Sequence, residues 1–388
     1  MTHPALTDGP IYLDHNATTP IDPRVIDAAL PYLTHHFGNP SSSHAYAAKP
    51  RAAVAEARRQ VADLIGATPG EIVFTGGGSE ADTLAIRGAA LAARDHGDQV
   101  ITQVTEHPAV LEACRSLTAE GFTVTQLPVD EFGRVDPADL RAAITDNTVL
   151  VSVMTANGET GTLQPVPELA AIAHRHGALM HTDAAQVAGK APLDVTELGV
   201  DLLTVVGHKM YAPKGVGALY VRTGTSIVPI IHGASQEQGL RAGTESVALI
   251  VALGAAAAIA TTDLPSSANR LASTRDTLHR ELDRLLPGAV QLNGHPVDRL
   301  PNTLNVSLAG ADGKALLAAT PHVAAATGSA CHEGLDIPSA VLIAMGLVHD
   351  RASAALRLTV GRWTTPEEAK EAARLLADTY LTKFQASA

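Results

Sequence analysis

A chain of 388 residues is too long for one ordinary hydrophobic core and points to two domains or one large α/β unit. With 46% hydrophobic and 18% charged residues it is globular rather than disordered, and a formal charge of −12 without a basic stripe gives no case for direct nucleic-acid binding. Its 2 cysteines, Cys114 and Cys331, exclude a multi-disulfide scaffold and fit a reducing compartment. Met1-Thr2-His3-Pro4 lacks the basic and apolar regions of a secretory signal, and the nearest approach to a membrane span is the Ala-rich Val247 to Ala260. A cytoplasmic protein without membrane attachment is expected.

From about Glu71 the chain alternates short β-branched runs with helical patterns, the signature of βαβ units around a mostly parallel sheet. Glu71 to Thr75 reads as a strand and Ser79 to Ala93 as a helix. Gln99 to Val104 precedes a helix from about Pro108 to Ala119, Phe122 to Leu127 one near Pro137 to Ile144, and Val149 to Met154 one from Val166 to His176. Apolar runs ending at Asp183 and Lys209 follow, and Gly217 to Val221 continues the sheet. Past Gly243 the texture changes. An Ala-rich helix from Val247 to about Ala260 is predicted to break at Asp263-Leu264-Pro265-Ser266-Ser267, with a second helix from about Ala268 to Leu286. Asn302 to Leu308 and Ala355 to Val360 read as strands of a second α+β domain, whose boundary falls near residues 250–265. The last helix has a clear start, with Thr365 as N-cap, Pro366 in the first turn and Glu368 three residues after the cap.

Chemistry gathers at the strand ends. Val205-Val206-Gly207-His208-Lys209 delivers a lysine from a buried strand into a Gly/Pro-rich corner, and His181-Thr182-Asp183 carries out a carboxylate. Singly, each is an ordinary strand-end residue. Together, an amine for an aldehyde and a carboxylate for a pyridinium are what pyridoxal phosphate needs from a protein. Gly76-Gly77-Gly78-Ser79 would let backbone N–H groups approach a phosphate at a helix start, although Ser79 with Asp82 would also make a capping box. His208 could donate to the same phosphate, and Gln186, on the turn after Asp183, could hold the phenolic oxygen. His107 ends another strand at the sheet edge, where it could stack on a flat ring and shuttle protons or simply be structural. Cys331 lies in the small-residue segment Ala326 to Gly334, an exposed thiol suited to attack. Cys114 sits on the apolar face Val110-Leu111-Cys114-Leu117 and reads as core packing. His174 and His176 point in different directions and Cys331-His332-Glu333 has adjacent spacing, so no metal site is expected.

These residues resemble the class V, fold-type I pyridoxal-phosphate enzymes, and within them the NifS/IscS-type cysteine desulfurases and the related selenocysteine lyases. The matching text covers nearly the whole chain: Tyr12 to Pro20, Phe37 to Ser42, Thr75 to Leu84, Thr105-Glu106-His107, Ala156 to Gly161, His181 to Gln186, Gly207-His208-Lys209, Arg241 to Thr244, Gly328 to Cys331 and Arg357 to Arg362. The resemblance implies a large domain of residues 21–255, with a mostly parallel seven-stranded sheet flanked by helices. Residues 1–20 and 256–388 would form a smaller α+β domain carrying the Cys331 loop. It further implies that Lys209 binds pyridoxal phosphate covalently, Asp183 pairs with the ring nitrogen, Gln186 binds the phenolic oxygen and His107 stacks on the ring. Gly78, Ser79 and His208 would hold the phosphate, joined by Thr244 from a neighbouring subunit, hence a homodimer. Arg357 would clamp the substrate carboxylate, with Asn157 near both substrate and cofactor. L-cysteine would yield L-alanine and a persulfide on Cys331, passed to an acceptor protein for iron–sulfur clusters, tRNA thiolation or DNA phosphorothioate modification.

Three positions depart from the common desulfurase text. Val206 stands where many members carry a hydroxyl near the phosphate, Gly233 to Gln238 replaces a glycine-richer segment that usually ends in arginine, and His332-Glu333 follow Cys331. The Val-Gly-His-Lys run and Arg299 to Thr303 are closer to selenocysteine lyases, which remain an alternative, as does a non-catalytic sulfur carrier with the same fold.

Overall fold

The computed structural model describes residues 3–328 and 338–384. A short strand β1 (Ile11–Tyr12) leads into α1 (Pro23–Thr34) and α2 (Ala48–Ile65). Alternation then begins with β2 (Ile72–Thr75), α3 (Gly78–Ala92), β3 (Gln99–Gln103), α4 (Pro108–Leu117), β4 (Thr123–Leu127), α5 (Pro137–Ala143), β5 (Thr148–Ser152) and α6 (Val166–Arg175). It continues through β6 (Leu179–Asp183), α7 (Val195–Leu198), β7 (Leu202–Val206) and β8 (Gly217–Val221). After α8 (Val247–Leu285) come β9 (Val290–Leu292), β10 (Thr303–Leu308), α9 (Gly313–Ala318), β11 (Val323–Ala324), α10 (Ala340–Ala344), α11 (His349–Ser353), β12 (Ala355–Thr359) and α12 (Pro366–Lys383).

The 7-stranded sheet has the order β2-β8-β7-β6-β5-β3-β4. Only β8 runs against its neighbours β2 and β7, while the other pairings are parallel. Strands such as Leu202–Val206 are buried along their whole length, because helices cover both faces of a parallel sheet and each side chain needs an apolar neighbour. Strand order reverses at β3, which pairs with β4 on one side and β5 on the other. Ligands of open α/β sheets bind at such a reversal, beyond the carboxyl ends of the strands.

Among the described residues one hydrophobic core packs α3 and α4 on one face of the large sheet and a small cluster surrounds Leu342, while two further cores share α8. One packs α1, α2 and the amino half of α8 on the large sheet through residues such as Val25, Val61, Ile250, Leu253 and Ala257. The other gathers Leu13, Leu271, Leu278, Leu304, Leu356 and Leu376 around the β12-β10-β9 sheet. The predicted break at Asp263 to Ser267 does not occur: α8 runs unbroken for 39 residues with Pro265 inside it. Each half of the helix is held in a different core, so packing overrides the local cost of proline. The hydroxyls of Thr261, Thr262, Ser266 and Ser267 bond to carbonyls along this stretch, which faces solvent. By length and hydropathy α8 could cross a membrane, but 44% of its most apolar window is buried in the protein, which accounts for that composition. At α12 the predicted start is found: Thr365 Oγ1 accepts from the Glu368 N–H at 3.1 Å and Glu368 Oε2 from the Thr365 N–H at 2.7 Å.

Candidate active site

β7 ends at Val206 and turns at once through a single 3-10 turn, Gly207–Lys209. Gly207 is required there, since a Cβ would lie 2.8 Å from the Val216 carbonyl oxygen. Lys209 Nζ donates to the backbone carbonyl of Asn16 and, at 2.9 Å, to that of Ala17, both in the loop that leaves β1. One strand over, Asp183 closes β6 in parallel register with Thr204 of β7. Its Oδ1 accepts the Ala185 N–H at 2.8 Å. Burial raises the Asp183 carboxyl above the usual range, opposed by the Ala185 N–H and by the charges of His107 and Lys209, so the three side chains lie close enough to sense one another.

His107 is the N-cap of α4 at the strand-order reversal. Its Nδ1 accepts the Ala109 N–H at 3.1 Å, which leaves the ring proton on Nε2, and the residue is exposed. Burial lowers its pKa, countered by Asp183 and reinforced by Lys209.

The glycine segment gives α3 an N-terminus without a side-chain cap. Ser79 and Asp82 do not form the predicted capping box. Ser79 is exposed at the helix start, whereas Asp82 is buried beneath the strands with Oδ1 3.7 Å from His181 Nε2. Two glycines are sterically fixed here: Gly77 has φ 145°, and a Cβ on Gly78 would come within 2.7 Å of Val206 Cγ2. Val206 therefore presents a methyl group to this helix start where a hydroxyl would offer a donor. His208 Nδ1 lies 3.1 Å from Thr18 Oγ1, and burial together with Lys209 and its other cationic neighbours holds its pKa down at about 4.

The remaining expected residues divide. The Gln186 amide is bracketed by the Asn16 carbonyl and by Lys190. Buried Asn157 ties the sheet edge together: Nδ2 donates to the Thr105 carbonyl at 3.1 Å, and Oδ1 accepts the N–H groups of Glu159 and Thr160 at 2.8 and 3.0 Å. Arg357, on β12, is 3% exposed and pairs with Asp14 at 2.7 Å. Its Nε has no partner among the described residues, a buried donor suited to an incoming carboxylate. Thr244 is exposed ahead of α8. Cys331, with His332 and Glu333, lies outside the described residues. Cys114 is buried in the core between α3 and α4, as expected. His174 bonds Asp201 at 2.8 Å and His176 lies 3.9 Å from Asp146, so the two rings serve separate partners.

Sequence reasoning missed a layer beneath the site. Asp82 and Glu106 are buried carboxyls pushed upward by desolvation, Glu106 to about 8, and the negative charge of Asp183 raises both further. Glu106 Oε1 accepts the Met154 N–H at 2.6 Å and Gln103 Nε2 at 2.9 Å. The capping pattern around Asp82 disguised it; Glu106, in Thr105-Glu106-His107, carried no local signal of burial.

Buried Asp183, at the end of β6, suits a protonated ring nitrogen, and the uncapped helix start suits an anion. Pyridoxal phosphate carries a ring nitrogen, a phosphate arm and an aldehyde, and a strand-end lysine would supply the amine for that aldehyde. The residues fit that cofactor, and sheet and site together define a fold-type I pyridoxal-phosphate enzyme.

The chain matches the Aminotransferase class-V family over residues 11–371. It is 45% identical over 360 residues to cysteine desulfurase IscS of Methanosarcina thermophila, covering 92% of this chain and 89% of that one. Among solved structures, a NifS-like protein aligns with a TM-score of 0.88 and 33% identity over 95% of this chain and 98% of the other. SspA in complex with cysteine aligns with a TM-score of 0.82 and 36% identity over 91% and 99% of the two chains. The chain belongs to the class-V aminotransferase family and, within it, to the cysteine desulfurases.

Proposed function

We propose that this chain removes sulfur from L-cysteine, with Lys209, Asp183, His107 and Arg357 in the roles their positions suit and Cys331, assigned from the sequence, as the sulfur acceptor. The observation that carries the proposal is Lys209 and Asp183 on the ends of adjacent parallel strands, beside the uncapped start of α3. Pyridoxal phosphate supplies, when bound, an electron sink for the α-carbon of an amino acid. Asp183 would face its ring nitrogen, Gln186 its phenolic oxygen, His107 its face, and Gly78, Ser79 and His208 its phosphate. Lys209 would hold the aldehyde carbon of the cofactor, and its amine would move the proton at the substrate Cα. Arg357 holds the substrate carboxylate, with Asp14 fixing the guanidinium from the other side. Cys331 would take the sulfur: its thiolate attacks the substrate sulfur, an S–S bond forms as the C–S bond breaks, the bonding pair stays with Cβ, and protonation at Cβ and Cα gives L-alanine. A sulfur-acceptor protein then collects the persulfide.

A second copy of the chain completes the site in this reading. Ile26, Leu30 and Leu33 on α1 are 48%, 49% and 72% exposed, followed by Phe37 at 79% and Tyr46 at 68%. A contiguous apolar surface of this kind is a feature of subunit contacts. The exposed Thr244 would reach the partner's phosphate site.

The test is turnover of L-cysteine by the protein loaded with pyridoxal phosphate. Cys331→Ser is expected to bind L-cysteine, seen as a change in the visible spectrum, yet to release no sulfide; Lys209→Ala is expected to lose turnover altogether. Undiminished turnover by Cys331→Ser would overturn the persulfide role. Faster turnover of L-selenocysteine than of L-cysteine would favour the lyase reading.

A further inference from the structure

Lys190 is 3% exposed, an unusual place for an ammonium group. Its pKa is held well below that of an ordinary lysine by burial and by the charges of Lys209 and Arg357. The titratable groups that sense it besides these are His15 and His208. A short turn after β6 brings it back over Gln186. Lys190 Nζ donates to Gln186 Oε1 at 3.0 Å and to Asn16 Oδ1 at 3.3 Å.

On the opposite edge of the same amide, Gln186 Nε2 donates to the Asn16 backbone carbonyl at 3.2 Å, the carbonyl that also holds Lys209 Nζ. Asn16 is itself fixed: Oδ1 accepts Asn302 Nδ2 at 2.9 Å, while Nδ2 donates to the Gly158 carbonyl at 3.0 Å and to Thr303 Oγ1 at 2.8 Å. Turning the Gln186 amide over would set its oxygen against the Asn16 carbonyl and take from Lys190 Nζ its nearer acceptor. A donor on one side and an acceptor on the other therefore select one orientation. One N–H of Gln186 then remains for a ligand.

We propose that Lys190 is a positioning residue that orients the Gln186 amide, so that an N–H and not the amide oxygen meets the phenolic oxygen of bound pyridoxal phosphate. The inference rests on the placement of Gln186 proposed above. Two acceptors meeting at that oxygen would repel it, whereas a donor stabilises its negative charge.

The experiment reads the pH midpoint of the visible absorption band of the bound cofactor, which a donor on the phenolic oxygen lowers. Lys190→Met is expected to raise the midpoint by about one pH unit, the size of one hydrogen bond to a charged oxygen, and to weaken cofactor binding several-fold. Lys190→Gln, which restores a neutral donor, is expected to bring the midpoint back towards the wild-type value. In a Gln186→Ala background, Lys190→Met should add nothing. If Lys190→Met does not fold, Lys190→Ala serves as the donor-free variant. An unchanged midpoint in the donor-free variant, a Lys190→Gln shift as large as that variant's, or a full shift persisting without Gln186 would each overturn the inference. If Gln186→Ala alone leaves the midpoint unmoved, it is the placement of Gln186 that fails.

Discussion

Glu106 is the residue whose burial has the most direct consequence for stability. Burial pushes its carboxyl from 4.5 to about 8, against the Met154 N–H and the Gln103 amide, which favour the charged form. A raised carboxyl means that the folded chain keeps a proton which the unfolded chain releases above about its ordinary value. Stability from this group is therefore full in acid and is lost as pH rises towards 8, at about 1.4 kcal/mol per pH unit. Glu106→Gln keeps an acceptor for the Met154 N–H and removes the titration. Its thermal midpoint is expected to match the parent's near pH 5 and to exceed it by several degrees at pH 8; a difference independent of pH would refute this account. At this scale the sequence was legible wherever a residue ends a strand, since Lys209, Asp183 and His107 all stand at one sheet edge. It was illegible where the same residue types turn inward, as Asp82 does. The departure at Gly233 to Gln238 is likewise partly structural: Glu237 is buried, pairs with Arg58 at 2.6 Å and accepts the Phe74 N–H at 2.8 Å, while Gln238 Nε2 donates to the Gly70 carbonyl at 3.0 Å.

At the scale of elements, α8 is where local propensity and tertiary packing part. Proline inside a helix removes one hydrogen bond and crowds the preceding turn, costing about 3 kcal/mol. Around Pro265 the helix is exposed, so water can reach the carbonyl that proline leaves unpaired, and the two buried halves carry the helix through. Pro265→Ala is expected to raise the thermal midpoint, with a gain below about 3 kcal/mol because alanine also frees the unfolded chain. Cofactor affinity should not change. A lower midpoint would mean that a bend at Pro265 is needed for both halves to reach their cores. The βαβ units are readable because each strand is a short apolar run with a breaker at its end; the expected break in α8 fails because nothing local announces that Leu271, Leu278 and Leu282 lie in a second core.

For the whole molecule the apolar face of α1 and the loop after it bear on assembly. That surface is held in place: a Cβ on Gly38 would lie 2.1 Å from the Tyr46 carbonyl oxygen, and the Phe37 and Tyr46 rings pack with centroids 5.4 Å apart. A fixed apolar ridge costs little entropy to bury, which favours a permanent contact over a transient one. If a second copy covers it, Leu33→Asp with Phe37→Asp should halve the mass measured by sedimentation. Because the partner subunit's Thr244 would leave the phosphate site with it, the same variant should bind pyridoxal phosphate roughly tenfold more weakly, the size of one charge-assisted hydrogen bond. Thr244→Ala separates the two effects, since it should weaken cofactor binding by a similar factor while leaving the mass unchanged. A wild-type protein that sediments as a monomer, or a charged variant that keeps both its mass and its cofactor affinity, would show that this face and Thr244 serve something other than a second copy of the chain.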